Sequence, residues 1–178
     1  MTLDYTGKVV IVTGAGGGLG RSHALEFARR GAKVVVNDLG GSVDGSGGSS
    51  EAADKVVEEI KAAGGEAISN GSSVTDDAGG ANMVQQTMDT YGRIDALVNN
   101  AGVLRDKSFA KMEVGDFSFV VEVSLFETMK PTKAFWPIMK EQGYGRILVT
   151  SSSSGLYGNF GQANYGAAKL GVVGLINT

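Results

Sequence analysis

The run Lys8-Val9-Val10-Ile11-Val12-Thr13-Gly14-Ala15-Gly16-Gly17-Gly18-Leu19-Gly20 decides the fold. Its first residues are mostly β-branched and apolar, the pattern of a short buried strand over residues 8–12. A glycine-rich turn follows at once. Residues 22–30 then read as a helix, closed by Gly31. Strand, glycine turn and helix in that order is the setting that gives a glycine motif meaning. Missing side chains let the backbone pass close to a pyrophosphate, and the helix N-terminus offers unpaired N–H groups and a positive dipole end. On this reading Gly14, Gly16, Gly18, Leu19 and Gly20 form one wall of a cofactor site. The spacing Gly14-x-x-x-Gly18-x-Gly20 departs from the commoner G-x-G-x-x-G, and a glycine turn by itself also fits a plain tight bend.

The next elements give the turn its context. Residues 33–36 read as a second strand ending in Asn37-Asp38. Asp38 stands 20 residues past Gly18, about where an acidic residue holds the adenosine ribose 2′-OH. It would repel a 2′-phosphate, and no arginine beside it offers compensation. The competing reading is a loop aspartate that caps the turn after it. Residues 39–50 are rich in Gly and Ser and read as a flexible loop, long for a strand-to-helix connection. An amphipathic helix over 51–63 carries Ala52, Val56 and Ile60 on one stripe and stops at Gly64-Gly65. Residues 66–70 make a third strand, and Val74 lies in the loop after it, where its backbone can line an adenine site.

A helix over 78–91 contributes Met83, Val84 and Met88 to a core. The fourth strand, 94–98, runs into Asn99-Asn100-Ala101-Gly102. The two amides can tie neighbouring strands, and the glycine allows close approach of a ligand. Asn100, Ala101 and Gly102 therefore join the cofactor site. Residues 116–135 form a long helix in which Pro131 should produce a kink or a break, with helix continuing past Trp136-Pro137 to Lys140. Trp136 reads as a packing anchor. Residues 146–150 give the fifth strand and residue 162 onward the last helix. Alternating strands and helices imply a parallel sheet covered on both faces, an α/β doubly wound domain spanning 1–178 with strand C-terminal ends along one edge.

That edge collects the chemistry. Ser151-Ser152-Ser153-Ser154-Gly155 follows the fifth strand, and Tyr165-Gly166-Ala167-Ala168-Lys169 opens the last helix. Tyr165 and Lys169 share a helix face at four-residue spacing. An ammonium beside a phenol favours the phenolate, so Lys169 is expected to lower the Tyr165 pKa. A tyrosine tuned in this way exchanges a proton with an alcohol or ketone. Ser152, 13 residues upstream, is placed to present its hydroxyl beside the same helix.

Composition excludes several classes. Hydrophobic residues make up 42% and charged residues 20%, as in ordinary globular chains. A net charge of −3 gives no basic surface for nucleic acid. With no cysteine there is neither a disulfide framework nor a thiolate metal site, and no metal role is expected. No apolar run reaches the roughly 20 residues that span a bilayer. The segment Met1-Thr2-Leu3-Asp4-Tyr5 lacks a basic start and an apolar stretch, so a cytoplasmic protein with no membrane partner is expected. His23, the only histidine, reads as a helix-surface residue.

Thr13–Gly20, Asn99–Gly102, Ser152 and Tyr165-x-x-x-Lys169 together resemble the classical short-chain dehydrogenase/reductases, over essentially the whole chain. Asn37–Gly41, Leu104–Phe109 and Tyr157–Tyr165 further resemble the (3R)-hydroxyacyl-CoA dehydrogenase branch. The resemblance implies a Rossmann fold, NAD as cofactor, a small-molecule alcohol or ketone substrate, and a homodimer or homotetramer. It implies Tyr165 as acid/base, Lys169 as its tuning partner and a ligand of the nicotinamide ribose, and Ser152 as donor to the substrate oxygen. A fourth member of the proton relay, usually Asn and in this branch often His, falls at Ser124 in Val123-Ser124-Leu125. The resemblance also implies two further strands and a substrate lid beyond Thr178. A chain without them is expected to expose the fifth strand and the last helix, to self-associate, and to turn over slowly. The alternative function is a non-catalytic nucleotide-binding or oligomerisation module.

Overall fold

In the computed structural model, which describes residues 3–41, 44–46 and 51–178, five strands form one parallel sheet. In chain order the elements are β1 (Val9–Thr13), α1 (Gly18–Arg29), β2 (Lys33–Asn37), α2 (Glu51–Ala62), β3 (Glu66–Asn70), α3 (Asp77–Tyr91) and β4 (Ala96–Asn99). Then come α4 (Val114–Val121), α5 (Glu127–Glu141), β5 (Arg146–Val149), α6 (Ser153–Tyr157) and α7 (Ala163–Ile176). The strand order is β3-β2-β1-β4-β5. The chain steps outward from β1 to β3, returns across the sheet, and steps outward again through β4 and β5. The reversal falls between β1 and β4, the switch point at which open α/β sheets bind ligands. The doubly wound fold expected from the sequence is therefore present.

β1 shows why the sheet needs cover on both faces. Val10 and Val12 pack with Ala24, Ala28, Val56 and Ile60 of α1 and α2. Val9 and Ile11 pack on the other face with Met83, Phe135 and Met139 of α3 and α5. Alternation at period 2 places successive residues in two cores. Asp95 fixes the N-terminal end of this pair of strands. Its carboxylate accepts the Val9 N–H at 2.9 Å and hydrogen bonds from Lys8 (3.2 Å) and Arg93 (2.7 Å).

Several expected boundaries move, each for a physical reason. α1 begins at Gly18, four residues before the expected start, because tight packing against the turn overrides the low helix propensity of glycine. β4 begins at Ala96, since both backbone groups of Ile94 are taken by the side-chain amide of Gln142 (3.0 and 2.7 Å). The long helix expected over 116–140 is not broken at Pro131. α5 runs through Pro131 and Pro137, and the irregularity lies one turn earlier, as a π-helical segment at Glu122–Phe126. Pro131 has no N–H for the carbonyl four residues back, that of Glu127, and the wide turn upstream accommodates the misfit. Trp136 is 58% exposed and anchors nothing; Phe135 beside it is fully buried and takes that place. α6 had no signal in the sequence reading. The loop expected over 39–50 lies in part outside the described residues.

Candidate active site

Two parts of the sheet's C-terminal edge make the site: a cavity over the switch point, and a cluster of buried polar side chains beside it. The cavity measures about 500 Å³ and is lined by Gly14, Gly17, Gly18, Asp38, Val74, Asn100, Ala101 and Gly102, among others. The walls are held by short polar contacts. The Thr13 hydroxyl accepts the N–H groups of Asn100 and Ala101 at 3.0 and 3.2 Å. Asn100 Nδ2 donates to the carbonyls of Thr13 and Gly14 at 3.1 and 3.2 Å. Asn100 thus ties β4 to β1, as expected of an amide there. Asn99 does not: its Nδ2 turns outward to Thr132 of α5 at 3.1 Å. Asn37, which the sequence reading passed over, ties β2 to β3 by donating to Asn70 Oδ1 at 2.8 Å and to the Ser72 carbonyl at 2.9 Å.

The glycines of the turn divide into two kinds. Gly18 has φ of +50° and open space where a Cβ would stand, so it leaves room for a ligand. A Cβ at Gly20 would lie 2.1 Å from the Gly14 carbonyl oxygen, so Gly20 lets α1 close onto the turn. Gly16 likewise packs rather than lines: its N–H donates to Asp38 Oδ2 at 2.7 Å. The Leu19 side chain is 65% exposed and outside the cavity, leaving only its backbone in the first turn of α1. Asp38 lines the cavity, and its Oδ1 caps the following turn by accepting the Gly40 N–H at 2.6 Å. Gly17, Ser72, Ser73, Thr75, Phe119 and Val123 also line the cavity and were not singled out from the sequence.

Behind Gly102 lies the polar cluster. A Cβ on Gly102 would stand 3.6 Å from Lys169 Nζ and 3.7 Å from Ser124 Oγ, so this glycine joins cavity and cluster. Lys169 is 2% exposed, with Nζ 5.7 Å from the Tyr165 ring centre. Ser152 caps α6, accepting the Ser154 N–H at 3.2 Å, and stands beside the Tyr165 hydroxyl. Ser124, on the π-helical turn, is fully buried and its hydroxyl has no hydrogen-bond partner. Polar ties seat α7: Asn164 Nδ2 donates to the Arg105 carbonyl at 3.0 Å, Gln162 Nε2 to Asp106 at 2.8 Å, and the Ser151 hydroxyl to the Lys169 carbonyl at 2.8 Å. The structure therefore brings Ser124, Ser152, Tyr165, Lys169 and Gly102 together.

The electrostatics correct one expectation. Tyr165 is pushed above its ordinary pKa, chiefly by burial, with the charges of Glu127 and Asp106 adding to the rise and the Ser152 hydroxyl opposing it. The lowering expected from Lys169 is not found, because burial depresses the Lys169 ammonium itself. Glu127, the first residue of α5, is fully buried, and burial pushes its carboxyl up while Lys169 pulls it back. Glu127 was missed in the sequence, where a glutamate at a helix start reads as an exposed charge. Among the described residues no group of three or more His, Asp or Glu is placed to hold a metal ion.

A doubly wound sheet, a glycine turn at its switch point and a Ser-Tyr-Lys cluster beside it define a class, and the family profile described as short chain dehydrogenase matches residues 8–178. The chain belongs to the short chain dehydrogenase family. Within it, the chain is 57% identical over 176 residues to the peroxisomal multifunctional enzyme type 2 of Mus musculus, covering 99% of this chain and 24% of that one. It is 43% identical to the 3-oxoacyl-[acyl-carrier-protein] reductase of Synechocystis, covering 97% of this chain and 67% of the relative. A solved 7α-hydroxysteroid dehydrogenase complexed with NADH and 7-oxo glycochenodeoxycholic acid superposes with TM-score 0.87 at 31% identity, covering 97% of this chain and 64% of that one. The chain thus spans about a quarter of the mouse relative and two thirds of the cyanobacterial one. It is a member of an oxidoreductase family acting on alcohol and carbonyl groups of small molecules. Among the described residues no helix is long and apolar enough to cross a membrane.

Proposed function

We propose that this chain transfers a hydride between NAD(H) and a secondary alcohol or ketone, with 3-hydroxyacyl and 3-oxoacyl thioesters as its substrates. The observation that carries the proposal is the meeting of Ser152, Tyr165 and Lys169 with the cavity at Gly102. The residues fit a dinucleotide. Gly17 and Gly18 leave open space at the helix N-terminus, Asp38 supplies an anion at the end of β2, and the buried Ser124 hydroxyl and Lys169 ammonium face Gly102. Gly14, Gly18, Gly20, Val74, Asn100, Ala101 and Gly102 would hold the nucleotide, with Asp38 on the adenosine ribose and Lys169 on the nicotinamide ribose. When bound, the nicotinamide donates or accepts the hydride.

Tyr165 gives its hydroxyl proton to the forming alkoxide, or takes it back in the oxidation direction. Ser152 donates a hydrogen bond to the same oxygen and fixes its position. Lys169, with Nζ 5.7 Å from the Tyr165 ring centre, acts on the nicotinamide ribose rather than by lowering the pKa of the phenol. Ser124 is the candidate relay member, with a short hydroxyl where a longer amide offers more reach. The thioester assignment rests on the similarity to the cyanobacterial 3-oxoacyl-[acyl-carrier-protein] reductase together with the resemblance of residues 104–109 and 157–165. Preference for NAD over NADP rests on Asp38, and a homodimer or homotetramer on the exposed apolar side chains of Trp136, Leu148, Leu170 and Ile176. The test is a fluorescence titration of the full-length protein with NADH, followed by turnover of a short 3-oxoacyl-CoA. Binding with turnover is expected. Binding without turnover would make the protein a nucleotide-binding module instead.

A further inference from the structure

Arg105 lies partly buried in the stretch after β4, and its side chain joins three parts of the chain. The guanidinium carbon stands 3.8 Å from the centre of the Phe119 ring on α4. Nη1 donates to Asp116 Oδ1 at 3.2 Å, and Nε donates to the Asp44 carbonyl at 3.2 Å. Phe119 and Gly45, the residue after Asp44, both line the cavity over the switch point. The two also abut: a Cβ at Gly45 would stand 2.7 Å from Phe119 Cζ. A planar guanidinium suits such a place, because it stacks on an aromatic face while its N–H groups reach separate acceptors. We propose that Arg105 is a positioning residue of the cofactor cavity: it clamps the Phe119 ring to the chain at Asp44 and Gly45, and that clamp is the wall against which the adenosine half of the dinucleotide rests. The assignment of the cavity to a dinucleotide is the reading given above, and this proposal rests on it.

The placement decides which half of the cofactor is concerned. Asp38, proposed for the adenosine ribose, and Val74, proposed for the adenine, line the same cavity as Phe119 and Gly45. Lys169 lies beyond Gly102, in the polar cluster beside the cavity. The clamp therefore acts on nucleotide binding and not on proton transfer. An aromatic ring offers adenine a flat apolar face. Fixing that ring in advance lowers the ordering cost that the ligand must meet. The anchors are in place within the protein itself: Asp116, which also accepts from Lys107 at 2.8 Å, and the Asp44 carbonyl. A lysine at position 105 could pair with Asp116, but it has no planar fork to lie on the ring and reach a second acceptor together.

The experiment measures dissociation constants of the full-length protein for NADH, by fluorescence, and for ADP-ribose, by calorimetry. Arg105→Met keeps the aliphatic stem and removes the clamp. It should weaken NADH and ADP-ribose by the same factor, about fivefold or more, while kcat at saturating NADH changes by less than about twofold. Arg105→Lys should recover little of that loss. Phe119→Leu should weaken both ligands as well, and because the two side chains act as one unit, the double variant should bind no more weakly than the worse of the two single ones. Unchanged constants in Arg105→Met, or additive losses in the double variant, overturn the proposal. So does a variant that loses stability and kcat with its dissociation constants intact, the result expected of a structural role alone. In the wild type, the Phe119 ring resonances, assigned through their contacts with Arg105, should shift when ADP-ribose is added. That measurement tests the proposal even if the variants do not fold, and an absence of shift on saturation with ADP-ribose overturns it. Binding of ADP-ribose that depends on Arg105, in a wild type that does not turn over the 3-oxoacyl-CoA, would sink the dehydrogenase reading and leave the clamp standing.

Discussion

Asp38 shows how one side chain can serve two structural demands. Its two oxygens accept the N–H groups of Gly16 and Gly40, which holds the carboxylate at the cavity wall. A 2′-phosphate brought there meets a fixed like charge, a penalty of up to several kcal/mol. Asp38→Ala should therefore bring the NADH and NADPH affinities closer by at least about tenfold, read by fluorescence titration. Native binding of NADPH tighter than NADH would refute this role. At the same scale, Ser152, Tyr165, Lys169 and Asp38 were legible in the sequence because their spacing follows from regular elements. Glu127 was not, because only the π-helical turn and the cover of α7 put it inside. The Leu19 side chain turns away from the cavity; motif spacing does not say which way a side chain faces.

Among the elements, the contact between α1 and the glycine turn is the least tolerant of change. A methyl group at Gly20 would lie 2.1 Å from the Gly14 carbonyl oxygen, a backbone atom that cannot step aside. Gly20→Ala should cost about 1–3 kcal/mol, an overpacking effect, measured as a lowered denaturant midpoint, and should weaken NADH binding as well. An unchanged midpoint would mean that the turn yields more easily than its packing implies. Strands were read well from the sequence because most are short apolar runs between turn signals, β1 and β2 being the richest in β-branched residues. Helix starts were read less well: α1 begins among glycines, and its position is set by tertiary contact. The π-helical turn left no mark that Pro131 did not seem to explain, and α6 is only five residues long. Trp136 was misread because a large aromatic ring in a helix usually faces a core, whereas here Phe135 occupies it.

For the molecule as a whole, acid stability should report on Asp95, which joins the starts of β1 and β4. Burial opposes its charge, but hydrogen bonds from Arg93, the Val9 N–H and Lys8 outweigh it and hold its pKa below the ordinary 3.8. A carboxylate depressed on folding contributes stability above its unfolded pKa, and that contribution is lost as pH falls through the lower folded value. Asp95→Asn should cost about 1.5–3 kcal/mol at pH 7, the worth of hydrogen bonds to a charged group, and should remove part of the acid sensitivity below about pH 4. Equal pH dependence in variant and wild type would contradict it. The doubly wound order of the sheet was legible as alternation and glycine spacing, and the half-exposed pattern of β5 agrees with its place at the sheet edge. The central claim is that Tyr165 is the proton donor of a nucleotide-dependent oxidoreductase. Its most direct measurement is turnover of a short 3-oxoacyl-CoA with NADH by the full-length protein and by Tyr165→Phe, with the NADH dissociation constant determined for both. A loss of about 10²–10⁴-fold in kcat with NADH binding unchanged is the predicted result. Retention of most of the activity in Tyr165→Phe would contradict the account.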